Sequence, residues 1–189
     1  MPKIIYLGLT TVLLATLAGC QTQSQSTTSE SAVASSTAKQ PTALASIKVP
    51  VDEALAIFQK QYPAAKVTHL ELETTLGQYL YEIEGLTDTD EVSLRINAKT
   101  KAVSDQQSEK LEADDQDTDD SLDLKSLLSL KKVTAIAQKA VGSGQAISWE
   151  LEKEVGITHW TVAVKHGRQT TDVQINAQTG EVLTKEVDD

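Results

Sequence analysis

The sequence predicts an α+β fold of two tandem small modules, each one helix packed on a three- to four-stranded antiparallel sheet. Three observations carry this expectation. Residues 51–110 lie on 130–189 at a constant offset of 79 without a gap, with thirteen identities in sixty positions. These are Ala56, Ile57, Gln59, Lys60, Glu71, Leu72, Glu73, Gly77, Ile96, Asn97, Ala98, Thr100 and Val103, and identities in blocks at equal distances mark an internal repeat. In each copy, apolar residues at helical spacing precede stretches that alternate apolar and polar, with turn residues between them.

The N-terminus comes first. Lys3 is followed by fifteen residues, Ile4 to Ala18, that are mostly apolar, and then by Gly19-Cys20. A basic residue, an apolar run and a small-residue exit form a secretory signal layout, here residues 1–19. The run is short for a bilayer span, which needs roughly 20 apolar residues. Leu17-Ala18-Gly19-Cys20 resembles the lipobox of bacterial lipoproteins. The resemblance implies cleavage between Gly19 and Cys20 and a diacylglyceryl group on the Cys20 thiol. It also implies an anchor in the cell membrane on its extracytoplasmic face. Two acyl chains hold stably where one does not, since each buried methylene contributes about 0.8 kcal/mol. Cys20 is the chain's one cysteine, so neither a disulfide framework nor a multi-Cys zinc site can form.

Residues 20–46 read as a disordered tether. Sixteen of the residues 21–46 are Ser, Thr or Gln, too polar to offset their ordering entropy. A flexible coil of that length spans roughly 30 Å. Its composition points to a Gram-positive envelope.

The first module is expected over 47–104 and the second over 124–189. Leu55, Phe58 and Tyr62 give the first helix its stripe, with Asp52 and Glu53 near its positive end and Pro63 after it. Leu130, Val133, Ile136, Ala137, Ala140 and Val141 give the second, which Gly142 and Gly144 stop. Strands follow at Leu70/Leu72, Tyr79/Tyr81/Ile83 and Val92/Leu94/Ile96, matched by Ile147/Trp149/Leu151, Trp160/Val162/Val164 and Val173/Ile175. A short last strand carries Val103 or Val182. Period-two alternation with one apolar face fits an antiparallel sheet covered on one side. Turns fall at Thr75-Leu76-Gly77, Glu154-Val155-Gly156, His166-Gly167-Arg168 and Asn176 to Gly180. Units of about 60 residues are near the lower limit of independent stability, so the copies are expected to pack together through helices or adjoining sheet edges.

Asn176-Ala177-Gln178-Thr179-Gly180-Glu181-Val182 resembles the closing signature of the PepSY domain, Asn-Ala-x-Thr-Gly-x-Val. Asn97-Ala98-Lys99-Thr100-Lys101-Ala102-Val103 departs from it at Lys101, where a left-handed turn costs more than at Gly. That domain occurs in propeptides of thermolysin-like metallopeptidases and in bacterial envelope proteins. The resemblance implies an extracytoplasmic interaction module that modulates peptidases, and carries over no catalytic residue.

Residues 105–123 read as an acidic linker. Asp105, Glu109, Glu112, Asp114, Asp115, Asp117, Asp119, Asp120 and Asp123 are opposed there by Lys110 alone. Asp115-x-Asp117-x-Asp119 starts like a calcium loop, but Asp120 stands where Gly belongs and Ser126 where the bidentate Glu belongs. Weak calcium screening is expected of such a run, and no metal site is assigned. His69, His159 and His166 have no metal-ligand spacing.

No catalytic residue is assigned. The Ser residues crowd the tether and linker, Ser143 has no His nearby in sequence, and no Gly-x-Ser-x-Gly elbow exists. Glu71/Glu73 and Glu150/Glu152 alternate with apolar Leu and read as an exposed polar face. With 27 acids against 17 bases and a net charge of −10, a nucleic-acid partner is not expected. The expected function is therefore a non-enzymatic, membrane-anchored binding lipoprotein that regulates an envelope or secreted peptidase, with no cofactor. The alternatives are an extracytoplasmic ligand- or calcium-binding lipoprotein, or an accessory subunit of an envelope signalling complex.

Overall fold

The computed structural model describes residues 43–111 and 120–188. A short α1 (Ala43–Ser46) leads into α2 (Val51–Gln61), then β1 (Lys66–Thr75), β2 (Gln78–Leu86), β3 (Asp90–Asn97) and β4 (Val103–Lys110). The second copy repeats this with α3 (Leu130–Val141), β5 (Gln145–Glu154), β6 (Ile157–His166), β7 (Gln169–Asn176) and β8 (Val182–Asp188). Each repeated element begins 79 residues after its counterpart.

The expectation of a separate sheet in each module is corrected. All eight strands form one antiparallel sheet, in the order β4-β3-β2-β1-β5-β6-β7-β8. At its centre β1 meets β5 in the register Leu70↔Leu151, Glu71↔Glu150, Leu72↔Trp149. Each copy alone would leave the outward edge of one strand open, and the junction pairs the middle of those two edges. Of the two packing routes, the molecule uses the sheet edges.

Both helices lie on one face. Leu70, Leu72, Tyr81, Ile83, Leu94 and Ile96 from the first copy join Trp149, Leu151, Trp160, Val162, Val173 and Ile175 in one buried layer. Alternation along each strand puts these residues beneath the helices and leaves the other face to polar side chains. Asp52 and Glu53 occupy the first turn of α2, where the helix dipole favours them. Ser129 caps α3 by accepting from Lys132 N–H, and left-handed Gly142 ends it.

The copies fill equivalent core sites differently. Phe58 of α2 lies against Gly85, where an added Cβ would stand 3.0 Å from the ring. At the equivalent positions the second copy has Ala137 and Val164, small and large exchanged. Leu55 and Leu70 correspond to Thr134 and Trp149, whose indole N–H donates to the threonine hydroxyl at 2.8 Å. A polar pair thus replaces an apolar pair as a unit, leaving neither group unsatisfied.

Two boundaries move. Ala43–Ser46, expected in the tether, form α1, and Asp105–Lys110, expected in the linker, form most of β4. Composition marks both stretches as polar or small, and an edge strand with every residue exposed tolerates that composition.

Candidate functional site

The closing signature has a structural job at both ends of the sheet. Asn97 Oδ1 accepts from the N–H groups of Lys99 and Thr100, both at 3.0 Å. Asn176 Oδ1 does the same with Gln178 and Thr179 at 3.1 and 2.9 Å. This side-chain turn fixes the chain reversal. Lys101 adopts φ 65° where Gly180 has φ 81°, and its ammonium pairs with Glu53 of α2. The departure from the signature therefore keeps the turn.

The buried Ala98 and Ala177 then hold the segment entering each helix. Ala98 C=O accepts from Lys48 and Val49 N–H at 2.8 and 2.9 Å, and Ala177 C=O from Leu128 N–H at 2.8 Å. Both alanines are fully buried, so a larger side chain has no room. Tyr81 donates to Val49 C=O at 2.7 Å, and burial, followed by Asp52, pushes its phenol above the ordinary range.

The lead-in of each copy rests on the other copy. Ala43 and Leu44 of α1 lie beside Ala146 and Trp149 of β5. Leu122, their counterpart ahead of α3, is buried and donates its N–H to Val67 C=O of β1 at 2.8 Å. Between the two lead-ins and the helix N-termini runs an apolar groove of about 860 Å³. Leu44, Ile47, Val51, Leu55, Leu124 and Leu128 line it, with Lys48, Asp52 and Lys131 among its charged groups.

The uncovered face carries a carboxylate row. Glu71 of β1 stands opposite Glu82 of β2 and Glu150 of β5. Burial foremost, and then neighbouring carboxylates, raise the Glu71 and Glu150 pKa values above the ordinary carboxylate range. His69 lies 3.7 Å from Glu150, and the buried His159 lies 3.1 Å from Glu152. Arg95 grips Glu82 at 2.8 Å. The sheet ends in two open edges, β4 and β8, every residue of which is exposed.

Cys20 and Gly19, the residues expected at the lipidation and cleavage site, lie outside the described residues. So do Asp114, Asp115, Asp117 and Asp119 of the linker. Among the described residues, no group of three or more His, Cys, Asp or Glu side chains is arranged to hold a metal. No described helix is long and apolar enough to cross a membrane. Ser143 and His166, which sequence distance kept apart, meet at 3.3 Å. That pair is exposed, and among the described residues no carboxylate orients the imidazole, so the serine lacks the third group of an activated triad. The contact exists because Gly142 and Gly144 turn the chain back over the β6 end, a long-range closure that spacing does not reveal.

The family profile described as "Peptidase propeptide and YPEB domain" matches residues 48–107 and 127–186. The chain is also similar to a candidate lipoprotein from Clostridium difficile 630, known from its crystal structure. The two share 29% identity and a TM-score of 0.72, over 75% of this chain and 95% of that one. No curated protein matches the chain.

Proposed function

Because the chain belongs to the PepSY family, with two tandem copies of that domain, we propose that it is a membrane-anchored, extracytoplasmic binding protein that regulates a secreted or envelope peptidase. The observation carrying this reading is the fused eight-stranded sheet, which covers one face with two helices and leaves two edges open to a partner. Open edges suit the capture of extended polypeptide by strand addition, the form in which a peptidase also binds its substrates. The similarity to a candidate lipoprotein supports the anchor, which the diacylglyceryl group on Cys20 would provide. The role needs no catalytic group of its own.

Crosslinking on intact host cells, followed by capture of the full lipidated chain and mass spectrometry, tests the reading. A secreted peptidase or wall hydrolase should co-purify, and should be lost from a chain ended after residue 46. Its activity should change when the purified chain is added. Capture of no extracytoplasmic protein would remove peptidase regulation. For the anchor, Cys20→Ala should move the protein from the membrane to the medium and abolish incorporation of labelled palmitate. Retention of the label would refute lipidation at that residue.

A further inference from the structure

The two sheet edges are equivalent by the repeat, yet chemically unlike. β8 exposes Val182, Leu183 and Val187, at 41, 37 and 48% of their surface. The residues 79 positions earlier in β4 are Val103, Ser104 and Ser108. In β8, Val187 stands opposite the buried Thr171, Lys185 opposite Val173, and Val182 opposite Ile175. These side chains therefore share the helix-covered face and carry its apolar layer out to the edge. Lys185 would ordinarily guard such an edge, but its ammonium reaches back to the Ala140 carbonyl of α3 at 3.4 Å. Both edges carry a bulge: β4 breaks its register in mid-strand opposite Leu94, with Asp105 at φ 48°, and β8 breaks its own near its start, at Leu183. From Thr184 to Asp188, β8 pairs without interruption.

The other face of the same edge is acidic. Glu186 stands opposite Asp172, and Asp188 opposite Thr170. None of these three carboxylates is in an ion pair among the described residues, and Lys165 lies two strands inward. Burial foremost, then Asp188 and Glu186, raise the pKa of Asp172 above the ordinary carboxylate range.

We propose that β8 is a docking edge for an extended segment of a partner protein whose side chains alternate apolar and basic. The apolar set continues the layer that Val182 and Val187 carry to the edge, and the basic set meets Asp172, Glu186 and Asp188. Backbone hydrogen bonds to β8 supply the pairing, and the alternation selects the segment. The inference rests on the binding role proposed above and gives that role its place and its specificity.

The test uses the full chain in non-ionic detergent and a fluorescent, end-capped seven-residue peptide of alternating valine and lysine, read by anisotropy against a detergent blank. Saturable binding is expected, at least tenfold weaker for the valine–glutamate counterpart and for the same peptide N-methylated along one edge. Val187→Lys should weaken it at least tenfold, while Ser108→Lys, the equivalent change in β4, should leave it unchanged. Should Val187→Lys fail to fold, the exposed pair Glu186→Lys and Asp188→Lys should invert the preference towards the glutamate peptide. No binding above the blank, equal loss at the two edges, or undiminished binding of the N-methylated peptide would each overturn the proposal. So would sedimentation showing that β8 instead joins two copies of this chain. A peptidase captured equally well by Val187→Lys would keep the regulatory role and remove the edge. Peptide binding at β8 with no peptidase captured would do the reverse.

Discussion

Tyr81 and Trp160 occupy the same place in the two copies, and one hydrogen bond separates them. Tyr81 satisfies the Val49 carbonyl, whereas the buried Trp160 Nε1 has no partner among the described residues. Tyr81→Phe is therefore expected to cost about 1–2 kcal/mol in urea unfolding, because a buried carbonyl loses its donor. Trp160→Tyr should cost less than Trp160→Phe, since a phenol there would face the Leu128 carbonyl as Tyr81 faces Val49. Equal losses for the two Trp160 variants would show that the equivalence stops at the backbone. Thr134→Val strands the Trp149 indole N–H and should cost about 1–3 kcal/mol. The aromatic positions were legible from alternation alone. Their hydrogen bonds were not, because the partners lie 15 and 32 residues away.

At the scale of elements, both central hairpins turn on a left-handed aliphatic residue followed by a glycine. Leu76 has φ 50° and Val155 φ 49°, and their side chains are 97 and 94% exposed. An L residue with a bulky side chain is strained there, and asparagine is the preferred occupant of such a turn. Leu76→Asn and Val155→Asn should each stabilise by about 0.5–1 kcal/mol in thermal unfolding, with the β-branched Val155 gaining more. A lowered melting temperature would mean that the aliphatic tips make contacts in solution. The carboxylate row on β1 and β5 sets a pH dependence. Glu71 and Glu150 have folded pKa values raised above their unfolded ones, so the folded state holds more protons between those values. Stability should accordingly rise as pH falls from neutral towards the ordinary carboxylate range, and should level off below it. Glu71→Gln should flatten that profile and stabilise the neutral protein by about 0.5 kcal/mol, the size of a like-charged cross-strand pair in partly screened surroundings. A stability maximum at neutral pH in both proteins would contradict this account.

Taken whole, the two copies are halves of one sheet rather than beads on a chain. β1 and β5 pair at the centre, and each lead-in covers the other half. A chain ending at residue 111 would expose the β1 edge and lose Leu122 from Val67. It should unfold non-cooperatively as a monomer, or self-associate through β1, in urea titrations and analytical sedimentation. A truncated chain as stable as the intact one, and monomeric, would show that the sheet is a juxtaposition without energetic consequence.

The duplicated pattern, the helices, most strand faces and the turns were settled by sequence, because each depends on residue spacing within a few turns or pleats; Ile147, expected beside Trp149 and Leu151 on the apolar face, is instead exposed where the register of β5 with β6 breaks. Lys101 marks the limit of that information: the cost of a left-handed lysine counted against this turn in the first copy, yet φ 65° is what the chain adopts. The family signature was equally visible, though its work was not, since Ala98 acts through a carbonyl bound to Lys48 and Val49 far along the chain. Only the tertiary structure decided that two sheets are one, that the lead-ins cross between the copies, and that β8 is the apolar edge. An edge strand and an inner strand share the same alternation, and what distinguishes them is which backbone groups lie across from them in space.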